Sequence, residues 1–142
     1  MVEIYDLALT SDSQLSNIST RGFVDTGDNV LIGGFIIGPS DRANGSVLVR
    51  AIGPSLTANG SPMPGRLLDP KLDLFNSNGA MIGSNDDWMS MQQTEIEATG
   101  HPPTDKKESA LIAPLVPGAY TAIVRGVGES TGVALVEVYQ LP

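Results

Sequence analysis

The chain has no cysteine, one histidine and only seven aromatic residues among its 142 positions. The absence of cysteine excludes disulfides and thiolate metal sites, so packing alone must hold the fold. A serine nucleophile would need a neighbouring base, and His101 is the one histidine that could supply it. His101 lies in TGHPPTD, where the glycine and the prolines are typical of a surface loop. We therefore predict that the protein is not an enzyme.

Positive charge and long apolar runs are also scarce. Eight Lys and Arg against sixteen Asp and Glu give a net charge of -8, which disfavours nucleic acid and anionic membranes as partners. The longest apolar run, VLIGGFIIG at 30–38, is strand-length and broken by glycines, so we expect no membrane insertion. The N-terminus is acidic and alternating, unlike a signal peptide, and so does not indicate how the protein would be exported.

Turn-forming residues, by contrast, are frequent. Sixteen glycines and ten prolines, with Asn, Asp and Ser, separate short runs of β-branched, aromatic and aliphatic residues. This rhythm predicts an all-β fold, an antiparallel β-sandwich that is jelly-roll-like, in residues 14–142. Residues 1–13 are predicted to form an N-terminal strand and linker. The expected strands are 2–7, 15–20, 29–37, 46–53, 71–76, 80–84, 109–115, 119–127 and 132–140.

Local signals refine this prediction at several points. NSNG at 76–79 and GESTG at 128–132 indicate turns, each joining an antiparallel pair of strands. One short helix is expected over 90–99, with a capping box from Ser90 to Gln93. Its apolar side chains are expected to face the sandwich, with the Trp88 ring at one end of the core. These side chains are Trp88, Met91 and Ile96.

Two further features of the predicted strands are unusual. Gly33 and Gly34 lie inside one strand, where glycine usually marks a bulge or the close approach of another group. Arg50 and Arg125 occupy matching positions in VLVRAIG and AIVRGVG. We expect these arginines to form partly buried ion pairs, with Glu137 or Asp73 as acceptors.

The main polar cluster is SNDDW at 84–88. Oxygen atoms of Asn85, Asp86 and Asp87 could contribute to a calcium site, because Ca²⁺ takes six to eight oxygen ligands. The alternative is a turn that leads into the helix. Trp88 is the one aromatic residue that we consider as a platform for a glycan. A hydrolase using Asp86 or Asp87 with Glu108 would need a cleft that the sequence does not reveal.

Several runs resemble a repeat module of large predicted secreted proteins from environmental bacteria. They include LSNISTRGFV, TGDNVLIGGFIIG, VLVRAIGPSL and ESALIAPLVPGAYTAIVRGVG. The resemblance covers nearly the whole chain and implies an extracellular or cell-surface setting with tandem copies. More remotely, LDLFNSNGAMIGSNDD followed by PGAYTAIVRG is similar to the bacterial pre-peptidase C-terminal domain, a β-sandwich attached to secreted hydrolases. That pattern is matched by Gly79, Asp86, Asp87, Gly118 and Tyr120.

The two ends of the chain carry nearly the same sequence. VEIYDL at 2–7 matches VEVYQL at 136–141 at four of six positions. We expect the first copy to add as a strand to a neighbouring subunit and so form a head-to-tail filament of identical chains. The following ALTSDSQ is polar enough to serve as a linker, and seven residues span at most about 23 to 25 Å. The predicted interface residues are Val2, Glu3, Ile4, Tyr5, Asp6 and Leu7. The alternative is an accessory module that binds calcium or carbohydrate within a larger secreted enzyme or adhesin.

Overall fold

A computed structural model describes residues 17–38 and 45–142 of the chain. In these residues, eight strands form two four-stranded antiparallel sheets. In spatial order, the first sheet contains β1 (Asn17–Val24), β10 (Gly132–Leu141), β3 (Gly45–Ile52) and β8 (Ser109–Leu115). The second contains β2 (Leu31–Ile37), β9 (Gly118–Gly126), β6 (Pro70–Asn76) and β7 (Met81–Asn85). This interleaved order is that of a jelly roll, and it confirms the predicted fold class.

The main core lies between the two sheets. Alternate residues of each strand point inward, so Val47, Val49 and Ala51 of β3 pack with Val136 and Val138 of β10. Leucines and valines from β6 and β9 complete this layer from the second sheet. The side chains of opposite parity lie on the outer faces, and that is where the surfaces available for function are found.

A smaller cluster covers the outer face of the first sheet. It contains Leu48, Trp88, Ile96 and Ala110, all buried. Trp88 is 6% exposed and Ile96 is fully buried, as the sequence predicted. The prediction was wrong for Met91, which is 55% exposed. The Trp88 ring also covers the outside of a sheet beside Leu48, which faces away from the main core, rather than one end of that core.

The predicted helix divides into two short pieces, a 3-10 turn at Trp88–Ser90 and helix α1 at Gln93–Ala98. The predicted capping box is wrong. Residue Gln92 precedes α1 in a left-handed conformation, and no side chain caps the N-terminus of the helix. The Ser90 hydroxyl instead donates a hydrogen bond to the carbonyl of Asp87. The Gln92 side chain bonds the backbone of Ile112 rather than an N–H group of α1.

Of the two predicted antiparallel pairs, one forms. β6 and β7 pair through the NSNG turn, with Gly79 at a φ of 75°. The second prediction is wrong because β9 and β10 belong to different sheets. The chain passes between the sheets at 127–131, so the short connection joins layers rather than neighbours. The sequence analysis also missed a small hairpin, β4 (Thr57–Ala58) with β5 (Ser61–Pro62), which turns at Asn59 and Gly60.

Two predictions concern chain ends. The predicted strand at 2–7 lies outside the described residues, as does the start of the one at 15–20. β1 runs to Val24, four residues beyond its predicted end, because it pairs with β10 along its whole length.

In the part of the chain that the structure describes, no helix has the length and apolar character needed to cross a membrane.

Candidate functional site at the sheet edges

Four strands border the sheets, and they fall on two sides of the sandwich. β1 and β2 contact each other on one side, and β7 and β8 contact each other on the opposite side. We call these the β1/β2 side and the β7/β8 side. Edge strands carry backbone groups without a ladder partner, and proteins either protect them or use them to bind another strand. The two sides differ in this respect.

Side chains cover the free edge of β8. The Gln92 amide nitrogen donates to the carbonyl of Ile112 at 3.0 Å, and the backbone N–H of Ile112 donates to the Gln92 amide oxygen at 2.9 Å. Two residues earlier, the N–H of Ala110 donates to the side-chain oxygen of Asn85 at 3.0 Å. These amide groups occupy the positions that backbone groups of another strand would take. Gln92 makes this contact with a φ of 54°, a left-handed backbone conformation that is unfavourable for a residue with a side chain.

Glu108 anchors the segment that carries these covering groups. Its fully buried carboxylate accepts hydrogen bonds from four backbone N–H groups and from one hydroxyl. The donors belong to Gly53, Ser55, Thr104 and Asp105. The backbone carbonyl of Glu108 also accepts from the N–H of Trp88 at 2.9 Å. The carboxylate that we considered as a catalytic partner is therefore engaged in joining two loops.

The other edge on this side, β7, has a different form of protection. It is five residues long, and its register against β6 shifts between Leu74 and Phe75. Short length and an irregular register both disfavour pairing with another strand. Both edges of the β7/β8 side are thus closed to strand addition, one by side-chain amides and the other by its geometry.

β2 differs in each of these features. It is seven residues long, its register against β9 is regular, and it contains neither charge nor proline. Within the described residues its ladder partner is β9, which leaves its other edge available. Ile32 and Ile36 point outward and are 55% and 71% exposed. A long, flat, uncharged and apolar edge is the type that pairs most readily with another chain.

The two glycines of β2 have different surroundings. A Cβ atom on Gly33 would lie 2.9 Å from Cγ1 of Val136, so the predicted close approach is confirmed there. A Cβ atom on Gly34 would have no neighbour within 4 Å among the described residues. The predicted bulge is wrong for both, because the register is continuous. Gly34 leaves an open notch between Ile32 and Ile36.

β1, the second edge on this side, pairs only with β10 within residues 17–38 and 45–142. Ile18 and Thr20 stand opposite Val138 and Val136 and so face inward, yet both are exposed. Arg21 faces outward and carries the charge of this strand. The seam between β1 and β2 is therefore less completely covered than the interior of the sandwich.

The proposed calcium ligands are not equivalent in the structure. Asn85 is buried, and its side chain bonds the backbone of Ala110 and Asp87. Asp86 and Asp87 are exposed. Partial desolvation of this mostly exposed carboxyl group, together with the neighbouring charges of Asp87 and Asp69, raises the pKa of Asp86 above its ordinary value. Among the described residues, no group of three or more His, Cys, Asp or Glu side chains is arranged to hold a metal ion.

The Trp88 ring is held by a hydrogen bond and by packing. Its Nε1 donates to the carbonyl of Asp105 at 3.1 Å, and the ring packs in the cluster with Leu48, Ile96 and Ala110. A ring that is 6% exposed offers little area for a sugar to stack on. Its burial does not favour the predicted glycan platform.

Both predicted arginine pairs are present. Arg50 Nε lies 2.7 Å from Glu137 Oε2, and Arg125 lies 3.3 Å from Asp73. Arg50 also donates to the Tyr139 hydroxyl, and the His101 ring stacks on Tyr139 with 4.5 Å between centroids. His101 is thus a loop residue held against the outer face of the first sheet. Sequence reasoning missed this stacking and the covering role of Gln92, because neither has a local pattern.

An eight-stranded, two-sheet jelly-roll sandwich with one closed side is the class of protein that these features define. Its fold is similar to the crystal structure of the pre-peptidase C-terminal domain of a collagenase from Bacillus anthracis, with a TM-score of 0.53. The match covers 87% of this chain and 89% of that one at 10% sequence identity. This confirms the predicted resemblance at the level of the fold. No protein-family model and no curated protein matches the chain.

Proposed function

We propose that this protein is a non-catalytic extracellular structural subunit. Its copies would join head to tail when residues 2–7 of one subunit add as a strand to a sheet of the next. The observation that supports this proposal is the position of the matching sequence VEVYQL inside a sheet. That sequence lies in β10, where it pairs with β1 on one side and β3 on the other. Nearly the same six residues occur a second time at the N-terminus.

The side-chain pattern of β10 indicates how the N-terminal copy would behave. In β10, Val136 and Val138 pack in the core while Glu137 and Tyr139 lie on the outer face. By the same alternation, Val2, Ile4 and Asp6 would share one face of a strand and Glu3, Tyr5 and Leu7 the other. The part of the first face formed by Val2 and Ile4 is thus suited to cover apolar surface. Because β10 of each subunit already fills its interior position, an added copy must pair at an edge.

An assembly of this kind is directional. The donor segment and the acceptor edge are different surfaces, so each contact is heterologous and leaves one donor and one acceptor free. Such contacts propagate as a filament unless the rotation closes a ring. The non-catalytic role is supported by the hydrogen bonds that occupy Glu108. The extracellular setting is supported by the sequence resemblance to secreted modules and by the fold match.

Electron microscopy and light scattering test this proposal on three chains. They are the full chain, a chain lacking residues 1–7, and a chain in which residues 2–7 are reordered to remove the apolar alternation. We expect concentration-dependent filaments from the full chain and monomers from the other two. A full chain that stays monomeric at high concentration, or a reordered chain that still assembles, would contradict the proposal.

The fold match to a domain of a collagenase favours a second candidate function. In this alternative the domain is an accessory module of a larger secreted protein, with Asp86 and Asp87 as exposed calcium ligands. Added Ca²⁺ should then raise the melting temperature of the wild-type chain but not of an Asp86→Asn/Asp87→Asn variant. An equal response of both chains would exclude this site as the origin of the effect.

A further inference from the structure

We propose that β2 is the acceptor strand and that residues 2–7 of a second copy pair with its free edge. This inference rests on the proposed function and specifies the partner surface within it. Four edges border the two sheets in the described residues, and the β7/β8 side is closed at both. Assembly is thereby directed to the opposite side of the sandwich.

Between the two edges on the open side, composition favours β2. An acceptor edge must be flat, regular and free of charge, because a desolvated charge opposes strand addition. β1 carries Arg21 in its centre, whereas LIGGFII in β2 has no charged or polar side chain. Of the described edges, β2 alone meets these requirements along its whole length.

Gly34 gives a second and independent argument. It has neither a positive φ nor a neighbour within 4 Å of its Cβ position, so nothing in the described structure requires glycine there. The notch over Gly34 lies between two exposed isoleucines at the edge of the sheet. An aromatic side chain on a neighbouring strand commonly covers an edge glycine in this way. Tyr5 is the aromatic residue of the donor segment, and we place its ring over Gly34.

The opposite face of the donor then matches the seam between β1 and β2. With Tyr5 outward, Val2, Ile4 and Asp6 point inward, and Val2 and Ile4 lie toward the space beside Phe35, with Asp6 at the other end of the donor segment. Ile18 of β1 faces this space and remains 37% exposed. Two aliphatic side chains from the donor would cover it. The nine residues at 8–16 extend to about 30 Å, which gives the donor the reach to leave its own subunit.

The first test places a charge on each edge of the second sheet. Gly34→Lys adds an exposed charge to β2, where its Cβ meets no neighbour, and Met81→Lys adds the same charge to β7, at a residue that is 57% exposed. We expect Gly34→Lys to abolish concentration-dependent assembly while its melting temperature stays near that of the wild type. Met81→Lys should assemble as the wild-type chain does. Equal assembly of both variants would overturn the choice of β2.

The second test uses the absence of native cysteine. A Tyr5→Cys chain is mixed with a Gly34→Cys chain under oxidising conditions, so that any disulfide between the two sites joins two molecules. A control mixture pairs Tyr5→Cys with Met81→Cys. We expect at least about tenfold more mixed dimer from the first mixture, measured by mass spectrometry. Equal yields from the two mixtures would contradict the inference.

These outcomes separate the inference from the function on which it rests. If truncation of residues 1–7 leaves association unchanged, the proposed strand addition itself is wrong. If truncation abolishes filaments but Gly34→Lys still assembles and the disulfide is absent, strand addition holds and the acceptor is a different edge. Association that survives truncation but fails in Gly34→Lys would show that β2 binds another copy without the N-terminal segment, and would also overturn the inference.

Discussion

The β7/β8 side and the β1/β2 side solve the problem of a sheet edge in opposite ways. On the first, a segment of 24 residues from Asn85 to Glu108 supplies amide groups that bond the backbone of β8. On the second, the described residues leave β2 with an uncharged edge and two exposed isoleucines. Because proteins usually protect sheet edges, this difference between the two sides of the described structure is the observation that led us to propose β2 as an acceptor strand.

Protection of the β7/β8 side has a cost in stability. Gln92 holds a left-handed backbone conformation, and the side chain of Glu108 is fully buried. The fold tolerates both features because each side chain forms several hydrogen bonds. The four predictions below test this contrast, beginning with the largest expected effect.

Replacement of Glu108 should disrupt the closed side most. In Glu108→Ala, four backbone N–H groups and one hydroxyl lose their acceptor, and buried donors without partners are strongly destabilising. Since each buried donor without a partner costs about 1 to 3 kcal/mol, we expect a loss of at least about 3 kcal/mol in the free energy of unfolding, measured by urea denaturation. Glu95→Ala on the exposed face of α1 is the control and should change stability by less than about 0.5 kcal/mol. Similar losses in the two variants would contradict the role assigned to Glu108.

Asn85 should rank second. In Asn85→Ala, the buried N–H of Ala110 loses its acceptor, and we expect a loss of about 1 to 3 kcal/mol. Asn78→Ala, in the exposed turn between β6 and β7, provides a matched control. Faster hydrogen exchange of the Ala110 amide, relative to other β8 amides, should accompany the loss. Unchanged exchange at Ala110 would show that the side-chain contact does not protect this edge.

Two substitutions of Gln92 separate the contribution of its hydrogen bonds from the cost of its backbone conformation. Gln92→Ala removes both bonds to Ile112 and keeps an unfavourable φ, whereas Gln92→Gly removes the bonds and relieves the backbone. We expect the glycine variant to be more stable than the alanine variant by about 1 kcal/mol. Both should expose the Ile112 amide to faster exchange. If alanine is as stable as glycine, the left-handed conformation is not retained once the Gln92 side chain is removed, and the prediction of a strained alanine variant is wrong.

Asp86 should show the smallest effect, and the size of that effect depends on pH. Because burial and Asp87 raise its pKa in the folded state, folding loses stability as the pH rises through that pKa. Asp86→Asn should therefore raise the melting temperature slightly at pH 7, with no gain below the ordinary pKa of 3.8. The effect stays small because solvent screens an exposed carboxylate. A lower melting temperature at pH 7 would contradict the assigned direction.

Much of the fold follows from local patterns in the sequence. The strands, the NSNG turn and the burial of Ile96 were predicted from alternation and turn residues. Arg50 and Arg125 were predictable because a charge inside an apolar strand requires a partner nearby. The pairing of β9 and β10 was wrong because a short connection does not specify whether the chain turns within a sheet or crosses to the other one.

The closed side could not be predicted for a different reason. Gln92 and Asn85 bond backbone N–H and carbonyl groups of β8, and a side-chain contact with the backbone has no sequence pattern. The left-handed conformation of Gln92 has no local signal either, since Asn or Gly would be expected there. The capping-box pattern at Ser90 and Gln93 was misleading because α1 begins at Gln93, and the Ser90 hydroxyl bonds the carbonyl of Asp87 instead. By contrast, Gly34 carried a visible signal, a glycine inside an apolar strand.

Backbone amide hydrogen exchange tests the central claim most directly. The full chain at a concentration where it assembles is compared with the chain lacking residues 1–7, with β2 (Leu31–Ile37) and β8 (Ser109–Leu115) as the reporting segments. We predict that assembly slows exchange in β2 at the amides not bonded to β9 and leaves β8 unchanged. New protection in β8, or none in β2 when filaments are present, would contradict the account.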